Sequence, residues 1–145
     1  MKSNQGGMTL IVKTVTRLTV GLILIYGIYI VLQGHLSPGG GFAGGVIIAL
    51  SFIHLLLAFG KDTVLKRLNE ARGLLLASIG AIIFLILATL GFMGKYYIFK
   101  PAREFELFGA GIMPLCDIAI SLMVGMGLFV IFLALVLLIA EKKKR

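Results

Sequence analysis

Cysteine occurs once in this chain of 145 residues, histidine twice and tryptophan never, and only six residues are acidic. One thiol cannot close an internal disulfide, so Cys116, at the start of the last apolar run, is read as a packing residue and says nothing of redox compartment. A metal site needs several His, Cys, Asp or Glu ligands converging, and the few present are scattered along the chain. There is no CxxC, no HExxH and no assignable Ser-His-Asp grouping. No catalytic residue, cofactor or metal is therefore expected. Charge is scarce as well, at 14% of residues against 59% hydrophobic, with a mean hydropathy of +1.08. A water-soluble domain of this size does not have that composition, so the chain belongs in a bilayer.

What fills the sequence is four long runs without Asp, Glu, Lys or Arg: Leu18–Gly34, Phe42–Phe59, Gly73–Gly94 and Ile118–Ala140. They hold 17, 18, 22 and 23 residues, and a spanning helix needs about 20. The stem of Arg17 can snorkel to the interface, so the first helix is predicted to start between Leu10 and Thr14. The fold class expected is all-α, a single domain over residues 1–145 with transmembrane helices near 12–34, 40–60, 73–94 and 116–140. The first run is too long for a signal-peptide core and has no small-residue cleavage site after it, which predicts a retained helix.

Eleven of the 14 basic residues lie before the first run, between the second and third, or after the fourth. Only Lys95, Lys100 and Arg103 fall on the other side. The positive-inside rule then predicts that both termini are cytoplasmic. The net charge of +8 is thus a topology signal. It is not a nucleic-acid patch, because no soluble segment is long enough to carry one. The outer segment 95–112 alternates Tyr96, Tyr97, Phe99, Phe105 and Phe108 with charges, which suits an interfacial anchor or a docking surface equally.

The least generic stretch is Gly34-His35-Leu36-Ser37-Pro38-Gly39-Gly40-Gly41-Phe42-Ala43-Gly44-Gly45. Gly39-x-Gly41-x-x-Gly44 satisfies the dinucleotide pattern literally, with Asp62 18 residues on. That chemistry requires a preceding strand and a βαβ unit, and here both flanks are membrane spans, so no nucleotide is expected. Pro38 restricts Ser37 and lacks a donor, which predicts that the first helix ends near Gln33 or Gly34 and a second starts just after. Gly40-x-x-x-Gly44 and Gly41-x-x-x-Gly45 form two overlapping small-residue faces that admit a helix backbone to backbone. A neighbouring subunit or a tight hairpin within the chain fits them equally. The segment His35, Pro38, Gly39, Gly40, Gly41, Phe42, Gly44 and Gly45 is the candidate subunit contact.

Three ionisable groups lie in or beside the runs. His54 sits within the second, either as a proton relay or as a neutral ring bonded to a backbone carbonyl or to Ser51. His35 is at the outer end of the first, as a C-terminal cap or a pathway group. Asp117 opens the fourth, where a carboxylate suits the helix N-terminus or an outer site for an ion or proton.

The run from Gly34 to Gly45, joining the first two of four helices, closely resembles the signature of the B subunit of Mrp-type multisubunit cation/proton antiporters, the MnhB-like family. Pro114-Leu115-Cys116-Asp117-Ile118 is similar to that family's opening of the last helix. The resemblance implies a small integral subunit of a hetero-oligomer that exchanges Na⁺ or another monovalent cation for H⁺. Its partners would be other membrane subunits and the lipid of a bacterial or archaeal plasma membrane. Similar subunits occur in archaeal membrane-bound hydrogenase and sulfur-reducing complexes, which is the alternative host. In such assemblies the large subunits translocate protons through intramembrane Lys–Glu pairs, and this chain has no such pair. An accessory role without enzymatic activity follows, with His35, His54 and Asp117 as pathway candidates. A scaffold with no part in the pathway is the second alternative.

Overall fold

Each charge-free run forms one helix in the computed structural model, which describes residues 9–34, 36, 39–60, 70–93 and 113–142. These are α1 (Leu10–Leu32), α2 (Gly40–Phe59), α3 (Glu70–Met93) and α4 (Met113–Lys142). All four are long and apolar enough to cross a membrane, and no strand occurs among the described residues. Lipid offers no hydrogen bonds, so a spanning backbone has to pair internally, and the helix does this without help from other segments. The only proline in the described helices is Pro114, in the first turn of α4, where a missing N–H breaks no bond. Small hydroxyls follow the same rule. Thr14, Thr19, Ser78 and Thr89 each donate to the carbonyl four residues earlier, at 2.7–3.0 Å.

Each helix starts ahead of its charge-free run: α1 at Leu10, α2 at Gly40, α3 at Glu70 and α4 at Met113. Charged residues account for part of this. Lys13 and Arg17 lie inside α1, and Glu70 and Arg72 in the first turn of α3. Cutting a span at its last charge therefore truncates the helix. The segments 61–69 and 94–112, the second of which carries the aromatic residues, lie outside the described residues.

In space the order is α1, α2, α4, α3, with a lighter contact between α1 and α4. α1 and α2 run antiparallel, since Gly27 faces Ile47 and Ile48 while Val31 faces Gly44. At the far end of that pair the Arg17 guanidinium lies 5.6 Å from the centre of the Phe59 ring. α2 and α4 run parallel, with Gly41 against Asp117, Gly45 against Ser121 and the Phe52 ring edge-on to Phe129 at 5.9 Å. α3 returns antiparallel to α4, Gly80 against Ala119 and Met123 and Gly73 against Val130. The start of α1 and the end of α4 consequently lie at the same end of the molecule, together with Lys13, Arg17, Arg72 and Lys142.

The central core is aromatic and aliphatic: Leu56 of α2 and Phe129 and Leu133 of α4 are buried, with Phe52, Val130 and Leu137 around them. α3 is attached differently. Among residues 70–90, those buried are Gly73 and Gly80, seven apart and so on one face of the helix. A Cβ built at Gly80 lies 2.9 Å from both the Ala119 carbonyl oxygen and the Met123 nitrogen. α3 thus approaches α4 through absent side chains, and lipid-driven association of this kind relies on such close packing.

Gly80→Leu is expected to destabilise the detergent-solubilised chain by about 1–3 kcal/mol, the usual cost of overpacking. Gly21→Ala, where a Cβ meets nothing within 4 Å, should change stability by less than about 0.5 kcal/mol. Thermal denaturation of both variants checks this, and equal losses would remove the assigned role of the α3 glycines.

Candidate functional site

The start of α2 poses a problem of unpaired donors. Its N-cap is Gly39, which has no side chain, and no residue of its own turn caps it. Gly39 and Gly40 have φ of 127° and 41°, conformations open to glycine and strained for other residues. The first N–H groups of any helix lack intrahelical acceptors, and the burial of Gly40 and Gly41 keeps water from supplying them. The acceptor arrives from another helix: the Gly41 N–H donates to Asp117 Oδ1 at 3.0 Å, across 76 residues of sequence. Gly41 is the second residue of α2, one of the positions that a capping side chain normally serves. The carboxylate also meets the positive end of the α2 dipole.

Three glycines make room for that carboxylate. A Cβ on Gly34 would collide with Asp117 Oδ2, one on Gly40 would lie 2.8 Å from Oδ1, and one on Gly41 would strike the Asp117 backbone. Gly34 also closes on the Gly40 Cα, at 2.7 Å from the same imagined atom. The end of α1, the start of α2 and the second turn of α4 therefore meet around one side chain. One turn deeper, Gly44 abuts Val31 and the Gly27 carbonyl, Gly45 abuts Ser121 and Val124, and Gly125 abuts the Gly45 carbonyl.

The two small-residue faces of α2 are thus occupied by the chain's own helices. Gly40, Gly41, Gly44 and Gly45 are buried, and the close approach they permit is made to α1 and α4. Of the candidate contact segment, Phe42, 64% exposed, and Gly39 remain open to a neighbour. His35 and Pro38 lie outside the described residues. Asp117 differs from expectation in its target. α4 begins at Met113 and has no acidic residue in its first turn, so Asp117 lies one turn inside its own helix and caps α2 instead. His54 does not join this cluster. It is 13 residues from Gly41 along α2, roughly 20 Å at the helical rise, and it is exposed. Ser51, proposed as its partner, is fully buried, and its hydroxyl donates to the Ile48 carbonyl at 2.7 Å.

Sequence reasoning missed Gly27 as the α1 partner of Gly44, and Ser121 and Gly125 as the α4 partners of Gly45. A signal was present for the latter pair: Asp117, Ser121 and Gly125 recur every four residues, a small-residue stripe that continues the Asp117 face down α4. Chemically, the cluster presents a half-buried carboxylate with one oxygen tied to a backbone donor. Such a group can hold a proton or a monovalent cation, and nothing in it supports nucleophilic chemistry.

Comparison with known proteins places relatives around this geometry. The family model for a domain related to the MnhB subunit of Na⁺/H⁺ antiporter matches residues 11–130. An uncharacterized protein of Methanocaldococcus jannaschii is 39% identical over 122 residues, covering 74% of this chain and 44% of that protein. A Staphylococcus aureus protein provisionally named as antiporter subunit mnhB2 is 38% identical over 99 residues, covering 68% of this chain and 67% of the other. Among solved structures, a chain of the membrane-bound sulfane sulfur reductase, an archaeal respiratory membrane complex, superposes with a TM-score of 0.71 at 26% identity. The match covers 91% of this chain and 62% of that one. This chain therefore spans less than half of the archaeal relative and under two thirds of the reductase chain.

Asp117→Ala removes the acceptor for Gly41 and is expected to lower stability by about 0.5–2 kcal/mol, the range for a lost cap. Asp117→Asn keeps a carbonyl oxygen at that place and should lose clearly less. Melting curves of the two variants in detergent decide it. Indistinguishable losses would mean that the hydrogen bond contributes nothing.

Proposed function

The chain belongs to the MnhB-related family of Na⁺/H⁺ antiporter subunits, and from that membership we propose that it is a small accessory subunit of a multisubunit cation/proton antiporter in a prokaryotic plasma membrane. The observation that carries the reading is the joining of the two family-like motifs, the Gly34–Gly45 turn and the Asp117 segment, in one glycine-walled cluster. The clustering of Lys13, Arg17, Arg72 and Lys142 at the opposite end supports cytoplasmic termini, which puts the Asp117 cluster toward the outer surface.

In this reading the chain contributes a wall and one or two polar groups to a pathway formed with larger partners. Asp117 is the first candidate, because its carboxylate can bind a proton or a monovalent cation. His35 is the second, as it follows Gly34, a wall of the cluster, in sequence. His54 stands about 20 Å away along α2 and is the third. The proposed role includes no enzymatic step. The likeness to a chain of a respiratory membrane complex favours one further reading, in which the same subunit works in an antiporter module coupled to redox chemistry. Copurified partners separate the two. Large antiporter-like subunits alone indicate the first, and accompanying iron–sulfur subunits the second.

In everted vesicles containing the assembled complex, Asp117→Asn and His35→Ala are expected to reduce cation-dependent proton movement by about tenfold, equivalent to roughly 1.4 kcal/mol in the barrier. The assay is the dissipation of a preset pH gradient on cation addition. Wild-type rates in both variants, with assembly intact, would leave a scaffold role in place of a pathway role.

A further inference from the structure

α2 turns two faces inward, onto α1 and α4, and one outward. On the outward face lie Phe42, Leu50 and Leu57, 64%, 52% and 54% exposed, with His54 exposed among them. Phe42 to Leu57 extends over roughly 22 Å, four turns. Beside this row, Val46, Leu50 and Ile53 of α2 and Ile131 and Leu135 of α4 line a groove of about 320 Å³.

His54 makes this face unsuited to lipid tails. It lies five residues before the end of α2 at Phe59, roughly 7.5 Å inside by helical rise. The hydroxyls of Thr14, Thr19, Ser78 and Thr89 are compatible with lipid because each donates to its own helix backbone. Tyr26 and Tyr29 of α1, also exposed, carry a single hydroxyl on a largely apolar ring. A neutral imidazole differs, since it brings one donor and one acceptor. Mid-helix N–H groups are already committed to the carbonyls four residues back, so the acceptor nitrogen finds no donor on α2. Ser51 does not serve, being buried and bonded to Ile48.

We infer that the outward face of α2 receives a transmembrane helix of a neighbouring, different subunit, which seats in the α2–α4 groove and presents a polar side chain to His54. The inference rests on the proposed subunit role. The apolar row supplies shape for a partner helix, and the imidazole supplies the one directional contact, which fixes the partner's register. Intramembrane polar groups that bridge helices act in this way.

The test uses the complete complex purified through a tag on this chain. Leu50 and Leu57 are replaced, one at a time, by the photoreactive benzoylphenylalanine, and Ile83 on the exposed side of α3 serves as a reference position. Expected are strong crosslinks from Leu50 and Leu57 to one transmembrane segment of another subunit, whose sequence carries an Asp, Glu, Asn, Gln, Ser or Thr at the level of His54. Alongside, His54→Leu should lower the recovery of that subunit severalfold, while His54→Gln, which keeps a donor and an acceptor, restores it. Crosslinks to lipid only, to a second copy of this chain, or to a wholly apolar segment overturn the inference. So does equal recovery from the Leu and Gln variants. If partner subunits copurify and the α2 face still crosslinks to none, only this inference fails. If no other membrane subunit copurifies, the subunit role itself fails.

Discussion

The hydrogen bond from Gly41 to Asp117 ties the start of α2 to the second turn of α4, across 76 residues of sequence. α2 must begin within a few residues of the end of α1, and its first turn has glycine where a capping side chain would stand. A cap from within the turn would need a side chain at the place where α1 and α2 nearly touch. Taking the acceptor from α4 resolves the conflict, and it dictates the rest. α4 must lie parallel to α2, its second turn level with the first turn of α2, and α1 must end just before Gly34, which leaves room for the carboxylate. The Gly45–Ser121 and Phe52–Phe129 contacts repeat that register further along the pair.

Around this tie, the helices are held by two kinds of contact that respond differently to a membrane. Burial of Phe129, Leu133 and Leu56 gains little over lipid in hydrophobic terms, because the tails are as apolar as the side chains they replace. Backbone approach at glycine is a gain that lipid cannot match, since it brings many atoms into dispersion contact at once. The distribution of glycines follows this logic. They occur where α2 meets α1, where α2 meets α4 and where α3 meets α4, while Gly21 and Gly127 face open space. A peripheral helix such as α3, with most of its apolar side chains outward, can be held by two glycines where a soluble bundle would need a row of leucines.

Much of this was legible in the sequence because absence of charge marks a span unambiguously. The helix ends were less so. Lys13 and Arg17 ride on α1, Arg17 with its guanidinium over the Phe59 ring, and Glu70 suits the positive end of α3, so charge does not terminate these helices. Asp117 was recognisable as a residue for a helix N-terminus, yet which helix it serves depends on α4 lying parallel against α2, a pairing across 76 residues. The hairpin reading of the glycine faces and the subunit-contact reading were indistinguishable for the same reason. The outward orientation of His54 was hidden by α2 itself. A span apolar on every side has no amphipathic period from which to read its faces, and only the packed neighbours reveal which side is free.

The position of Asp117 also limits what it can do in a moving complex. A carboxylate that anchors a helix start cannot swing away to accompany an ion without leaving the Gly41 N–H unpaired where water is not assured, which costs about 1–3 kcal/mol. Any proton or cation it handles must come to it and leave from it while the Oδ1 bond persists. Oδ2 packs against Gly34, where any side chain would collide with it. The two roles are therefore compatible only in a rigid arrangement, with the ion moving and the wall fixed. A fixed wall of this kind fits the proposed role of an accessory subunit, with its candidate polar group set among glycines instead of on a flexible arm.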